Sequence, residues 1–233
     1  MAKINFSSQS FPQWTAWLIL AFALQVTGCG TDQGGKKSNS SSTLVFLDDR
    51  LTECVEEAVQ NSETANRAED LTSLDCSMQN ISDISDIGSL SALTSINLDR
   101  NNLISITALG DIVGLRTISS RFNDISRTPD FADSTVVSLD LGYNKISDAT
   151  LLAAVTTLTS LNLEHNLLTS VDAFTGVSTL QELVLAKNGS VNCSSYTSLV
   201  ANLGANADGQ SVVSPSTPDV GIDCYDDSSR SLQ

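Results

Sequence analysis

From residue 71 onward the apolar positions of this chain recur at a nearly fixed distance. Units begin at Leu71, Leu93, Leu115, Val136, Leu158 and Leu180, with steps of 22, 22, 21, 22 and 22 residues. Within each unit the pattern is LxxLxLxxNxLxxLxxL. Leu93, Ile96, Leu98, Asn101, Leu103, Ile106, Leu109 and Ile112 fill it in the second unit, and Leu158, Leu161, Leu163, Asn166, Leu168, Val171, Phe174 and Val177 in the fifth. Apolar fourth and sixth places around a polar fifth predict a short strand with one face buried. The later apolar places bring the chain back along the other side in short helical or irregular turns. Self-similarity at this period predicts a solenoid, in which neighbouring units bury one continuous core.

The ninth place carries an amide throughout: Asn101, Asn123, Asn144, Asn166 and Asn188, with Gln79 in the first unit. An amide both donates and accepts, which suits a point where the chain turns away from a strand and leaves backbone groups unpaired. With the continuation "NISDISDIGSLSAL", the pattern resembles the bacterial leucine-rich repeat proteins of the internalin type. The resemblance covers residues 71 to about 190. It implies an α/β leucine-rich repeat solenoid with a curved parallel β-sheet on the concave face and short turns or 3-10 helices on the convex face. The family binds many unrelated partners, so the resemblance says little about a ligand.

The third unit departs from the pattern. Ser120 stands at the apolar sixth place, Thr128 at another core place, Pro129 follows, and the unit is one residue short. A kink or a buried water is expected there, either as an adaptable centre of a binding face or as drift in a tolerant scaffold.

The first residues read as an address. Residues 16–26, "AWLILAFALQV", form an apolar run of signal-peptide length after Lys3, and the run ends in Val26-Thr27-Gly28-Cys29. This resembles a bacterial lipobox. The resemblance implies a lipoprotein signal peptide over 1–28, a diacylglycerol anchor on Cys29, and a flexible tether over 29–43, whose "GTDQGGKKSNSSST" has almost nothing to bury. Gly30, standing where an Asp would favour inner-membrane retention, points to the outer membrane. An ordinary signal peptide or anchor with an incidental Cys29 is the alternative.

Solenoid ends need caps. The first is expected over 44–70, where "DDRLTECVEEAVQ" sets Leu51, Cys54, Val55 and Val59 at helical spacing behind Asp48 and Asp49. The second is expected over 191–226, with Tyr196, Leu199 and Leu203 on a short helix, before a tail at 227–233. An exported chain is free to form disulfides, and lipidation of Cys29 leaves Cys54, Cys76, Cys193 and Cys224. Three pairings exist. Proximity favours Cys54 with Cys76 and Cys193 with Cys224, while Cys76 as a free core thiol stays open.

Charge narrows the function. Twelve Lys and Arg against 27 Asp and Glu give a net charge of −15, which repels phosphate backbones and anionic headgroups. No nucleic-acid partner is expected, and membrane contact is expected through the lipid alone. With one His and no CxxC, HExxH or GxSxG, neither an enzyme nor a cofactor or metal is expected. Asp223, Asp226 and Asp227 match no EF-hand loop.

The exposed rows are the remaining signal. The fifth places are Asp75, Asn97, Ser119, Asp140, Asn162 and Val184, and the eighth are Met78, Arg100, Phe122, Tyr143, His165 and Lys187. Aromatics make up 5% of the chain, yet three neighbouring units project rings and the flanking units cations, the residue types that interface hot spots favour. Phe122, Tyr143 and His165, framed by Arg100, Arg121 and Lys187, with Lys145 nearby, form the expected patch for a protein or glycan. The competing reading is that these side chains cover the sheet edge. The chain is therefore expected to be a binding module displayed as an envelope lipoprotein. The alternatives are a structural envelope component and, third, a small-ligand or metal-dependent activity.

Overall fold

The computed structural model describes residues 44–131, 133–188, 191–203 and 213–214. The leader, Cys29, the tether, the bond to Cys224, the acidic cluster at Asp223 to Asp227 and the tail lie outside them.

Each unit contributes one three-residue strand: β1 (Ser73–Asp75), β2 (Ser95–Asn97), β3 (Thr117–Ser119), β4 (Ser138–Asp140), β5 (Ser160–Asn162) and β6 (Glu182–Val184). All pair in parallel and in sequence order. The fourth places Leu74, Ile96, Ile118, Leu139, Leu161 and Leu183 stand in register and point into the core. A seventh strand, β7 (Val213–Ser214), pairs with β6. It falls in the segment expected to be only a cap, and no repeat pattern marks it.

The far side of the first, second, fourth and fifth units is closed by 3-10 helices at Ile87–Ser89, Thr107–Asp111, Thr150–Ala154 and Asp172–Gly176. Among the described residues the third unit has none. Its short step leaves β3 and β4 in unbroken register, Thr117 opposite Ser138 and Ser119 opposite Asp140. The missing residue is absorbed on the far side, where Ser105 and Arg127 form an isolated bridge and Phe131 is buried. Ser120 is fully buried and its hydroxyl has no hydrogen-bond partner.

The asparagines of the ninth place form a ladder between units. Asn166 is typical: Nδ2 donates to the carbonyls of Leu141 in the unit before (2.9 Å) and Leu163 in its own (3.1 Å), and Oδ1 accepts from the Ile146 N–H (2.9 Å). Asn101, Asn123, Asn144 and Asn188 repeat the arrangement. Gln79 does not. It is exposed, and its backbone N–H donates to Asn101 Oδ1 (3.1 Å), because the first unit has no earlier carbonyl row for an amide to reach.

Helix α1 (Asp49–Asn61) caps the start and buries Leu51, Cys54 and Val55. A disulfide joins Cys54 to Cys76, whose Cα atoms are 5.8 Å apart, pinning the helix to the first core layer. Asp48 adds a second fastening. Its Oδ1 accepts from the Arg50 N–H (2.9 Å) to cap the helix, while Oδ2 accepts from the N–H groups of Ser82 (2.8 Å) and Asp83 (3.1 Å) in the first unit. Burial acts to raise this carboxyl, but the hydrogen bonds from Ser82, Asp83 and Arg50 outweigh it and hold it below the usual carboxylate range. At the other end α2 (Cys193–Leu203) buries Leu199, and the Ser195 hydroxyl donates to Asp172 Oδ1 (2.6 Å) in the fifth unit.

Candidate functional site

The expected patch lies one step beyond where strand alternation would put it. Strands end at the fifth place, and the eighth-place residues are turn residues in the left-handed region: Met78 (φ 58°), Arg100 (57°), Phe122 (54°), Tyr143 (59°), His165 (54°) and Lys187 (58°). This conformation is uncommon outside glycine. In the first five units it is held because the eighth-place N–H reaches the seventh-place carbonyl of the next unit, as in Arg100 to Arg121 (2.8 Å) and Tyr143 to Glu164 (2.7 Å). Six units thus display six side chains along one edge of the sheet.

The structure brings four of them into a stack. The Phe122 and Tyr143 rings are 4.3 Å apart between centroids, and Tyr143 and His165 are 4.5 Å apart, at interplanar angles of 22° and 29°. The Arg100 guanidinium lies over Phe122 at 4.4 Å. Both faces of Phe122 and both faces of Tyr143 are therefore occupied by neighbours. Lys187 continues the row as an exposed side chain, and Met78 is exposed at its start.

Arg121 belongs to the seventh place and turns onto the open face of the sheet. It lies 5.5 and 5.6 Å from the Phe122 and Tyr143 ring centroids and at ion-pair distance from Asp140 (3.6 Å) and Glu164 (3.9 Å). Glu164 also accepts from the Tyr143 hydroxyl (3.3 Å), and Asp99 Oδ1 accepts from Ser119 Oγ (2.7 Å) and the Arg121 N–H (2.8 Å). Burial pushes the Asp140 carboxyl above the usual carboxylate range, with Asp99 adding to the rise, against the opposing pull of the Gly142 N–H, Arg121 and Asn162.

The fifth-place row is structural. Asp75, Asn97, Asp140 and Asn162 each accept from the backbone N–H two residues on, at 2.9 to 3.0 Å, which fixes the exit from the strand. Gly142 leaves space for this: a Cβ there would lie 3.3 Å from Asp140 Oδ1 and 3.4 Å from Asn162 Nδ2. The seventh-place carboxylates Asp99 and Glu164 were absent from the expected patch, although reading the seventh column would have shown them.

No family model matches the chain, and no curated protein does. Among solved structures it is similar to an internalin C2 from Listeria monocytogenes strain 4b F2365, with 24% identity and a TM-score of 0.55, over 68% of this chain and 71% of that one. The fold is a leucine-rich repeat solenoid. The His165 ring stacks on Tyr143 and makes no hydrogen bond among the described residues. Among the described residues no three His, Cys, Asp or Glu side chains gather closely enough to hold a metal ion. Lys145 pairs with Asp124 (2.6 Å) outside the stack.

Proposed function

We propose that this chain is a lipid-anchored protein of the bacterial envelope whose repeat domain binds a partner polypeptide along the edge and open face of its sheet, with no bond-making step. The observation that carries the binding reading is the stack of Phe122, Tyr143 and His165 with Arg100, a preformed row that loses little freedom on contact. The lipobox-like Val26-Thr27-Gly28-Cys29 supports the anchor. A polypeptide is favoured over a glycan, because sugar rings dock flat on open aromatic faces and those of Phe122 and Tyr143 are covered.

The test is Phe122→Ala combined with Tyr143→Ala, followed by cross-linking on cells and identification of captured proteins. Loss of a specific partner with unchanged thermal unfolding supports recognition. Unchanged capture favours the structural-component reading, in which the rings only cover the sheet edge. Cys29→Ser tests the anchor separately: the variant should leave the detergent phase in which the wild-type chain partitions.

A further inference from the structure

We propose that Val45 and Leu47 dock the N-terminal end of the domain onto the bilayer that holds its lipid, an inference that rests on the lipid-anchor part of the reading above. They are the two most exposed large apolar side chains among the described residues, at 72% and 74%. Phe46 between them is buried, and the backbone is pinned there: the Phe46 N–H donates to Thr52 Oγ1 (2.9 Å) and the Leu47 N–H to Asp86 Oδ2 (2.8 Å). Asp48 then fastens the next residue to Ser82 and Asp83. Val45 and Leu47 are thus held outward by a fixed frame. The other exposed aliphatics, Ile104, Val113, Leu151 and Leu167, are scattered through the repeats.

What covers the pair follows from where the chain leads. Val45 comes sixteen residues after Cys29, and a Gly/Ser-rich stretch of about that length has a root-mean-square span of about 22 Å. A lipid at Cys29 keeps this end of the domain near the surface, at an effective concentration in roughly the millimolar range. A contact too weak to bind a free protein is populated under those conditions. Charge selects the kind of surface. Beside the pair, α1 exposes Asp49, Glu53, Glu56 and Glu57 against Arg50, which already pairs with Glu53 (3.3 Å). Anionic headgroups are repelled there, so the fitting partner is a zwitterionic surface that takes up two aliphatic side chains. Membrane contact, expected through the lipid alone, then includes the protein.

Trp14 and Trp17 are the only tryptophans of the chain and fall within residues 1–28, the segment that the lipobox reading removes. Leu47→Trp therefore gives the mature chain a single fluorescent reporter. The lipidated variant is reconstituted in phosphatidylcholine vesicles, with Val113→Trp, on the second unit and also exposed, as the control for tryptophan's own affinity. The Leu47→Trp emission should move to shorter wavelength and lose intensity with phosphatidylcholine brominated on its acyl chains, as expected for a ring about 5–10 Å into the headgroup boundary. Val113→Trp should do neither. Adding Val45→Asp, or exchanging the lipid for phosphatidylglycerol, should reverse the shift. Vesicle-bound chain whose Leu47→Trp emission stays water-like, shifts no more than Val113→Trp, or is indifferent to both changes overturns the docking and leaves the anchor standing. A shift seen only in native envelope membranes assigns the pair to a protein and overturns the lipid surface. If the chain does not float with the vesicles at all, the anchor reading falls as well. Both side chains are exposed, so the variants keep the wild-type fold, checked by thermal unfolding.

Discussion

Replacing Asn101 by alanine should destabilise the domain well beyond replacing Asn166, although both side chains are buried in the same ladder. Around Asn166 the carbonyls have second donors: Leu141 O also accepts from Asn144, Leu163 O from Asn188, and Glu164 O from the Tyr143 N–H. Its removal orphans the Ile146 N–H alone. Asn101 stands at the bottom of the ladder, with no amide beneath it. Its removal orphans the Cys76 carbonyl, the Ile81 N–H and the half-exposed Gln79 N–H, while Leu98 O keeps its bond from Asn123. At about 1.5 kcal/mol per buried orphan and half that for Gln79, Asn101→Ala costs about 4 kcal/mol and Asn166→Ala about 1.5. Against a typical total of about 5–15 kcal/mol, the gap is easily resolved. Urea unfolding followed by far-UV circular dichroism measures it, with an unchanged m-value showing that the same surface unfolds. Equal losses, or a larger loss at Asn166, would refute the reasoning that shared carbonyls make interior amides partly redundant.

Three further outcomes are expected. Substituting Cys54 and Cys76 by serine opens a cross-link spanning 22 residues, which by chain entropy lowers stability by about 3 kcal/mol in chemical unfolding. Asp48, whose carboxyl is depressed in the folded state, contributes stability that is complete above the ordinary carboxylate value of about 3.9 and is lost as pH falls through the lower folded value. Asp48→Asn should therefore lower stability at neutral pH and flatten its fall in acid, whereas Asp140, raised on folding, acts with the opposite sign, its contribution lost as pH rises through the folded value. Ser120→Ala removes a buried hydroxyl that has no partner and should raise stability by about 1 kcal/mol, read as a higher melting temperature.

The repeat register was legible because core places are set by a period, and Leu74 through Leu183 stack as that period requires. The amide ladder was legible for the same reason, except at Gln79, where the missing element is a preceding unit and no residue type in the unit itself reveals that. The ring row was legible as neighbours but not as geometry. Hydrophobic spacing says nothing about a left-handed φ at Phe122 or Tyr143, so it does not show that these residues stand on a turn beyond the strand end. Only coordinates show that their spacing closes the ring faces against one another. The Arg121 network was half visible: Arg121 and Asp140 were noted in different columns, and Asp99 and Glu164 lay in a column that alternation did not single out. Strand β7 has no sequence signal of its own, since it forms by adding to an edge that β6 leaves open.

The left-handed eighth place bears on how such a surface changes over generations. Its backbone hydrogen bond is made by the main chain alone, so the frame does not dictate which side chain stands there. Each non-glycine residue held in that conformation costs roughly 1 kcal/mol, a standing strain that glycine would relieve without altering the ladder. The edge thus behaves like a line of movable type: six slots at a fixed pitch, each open to rewriting, with the cost of a legible letter spread over the whole solenoid.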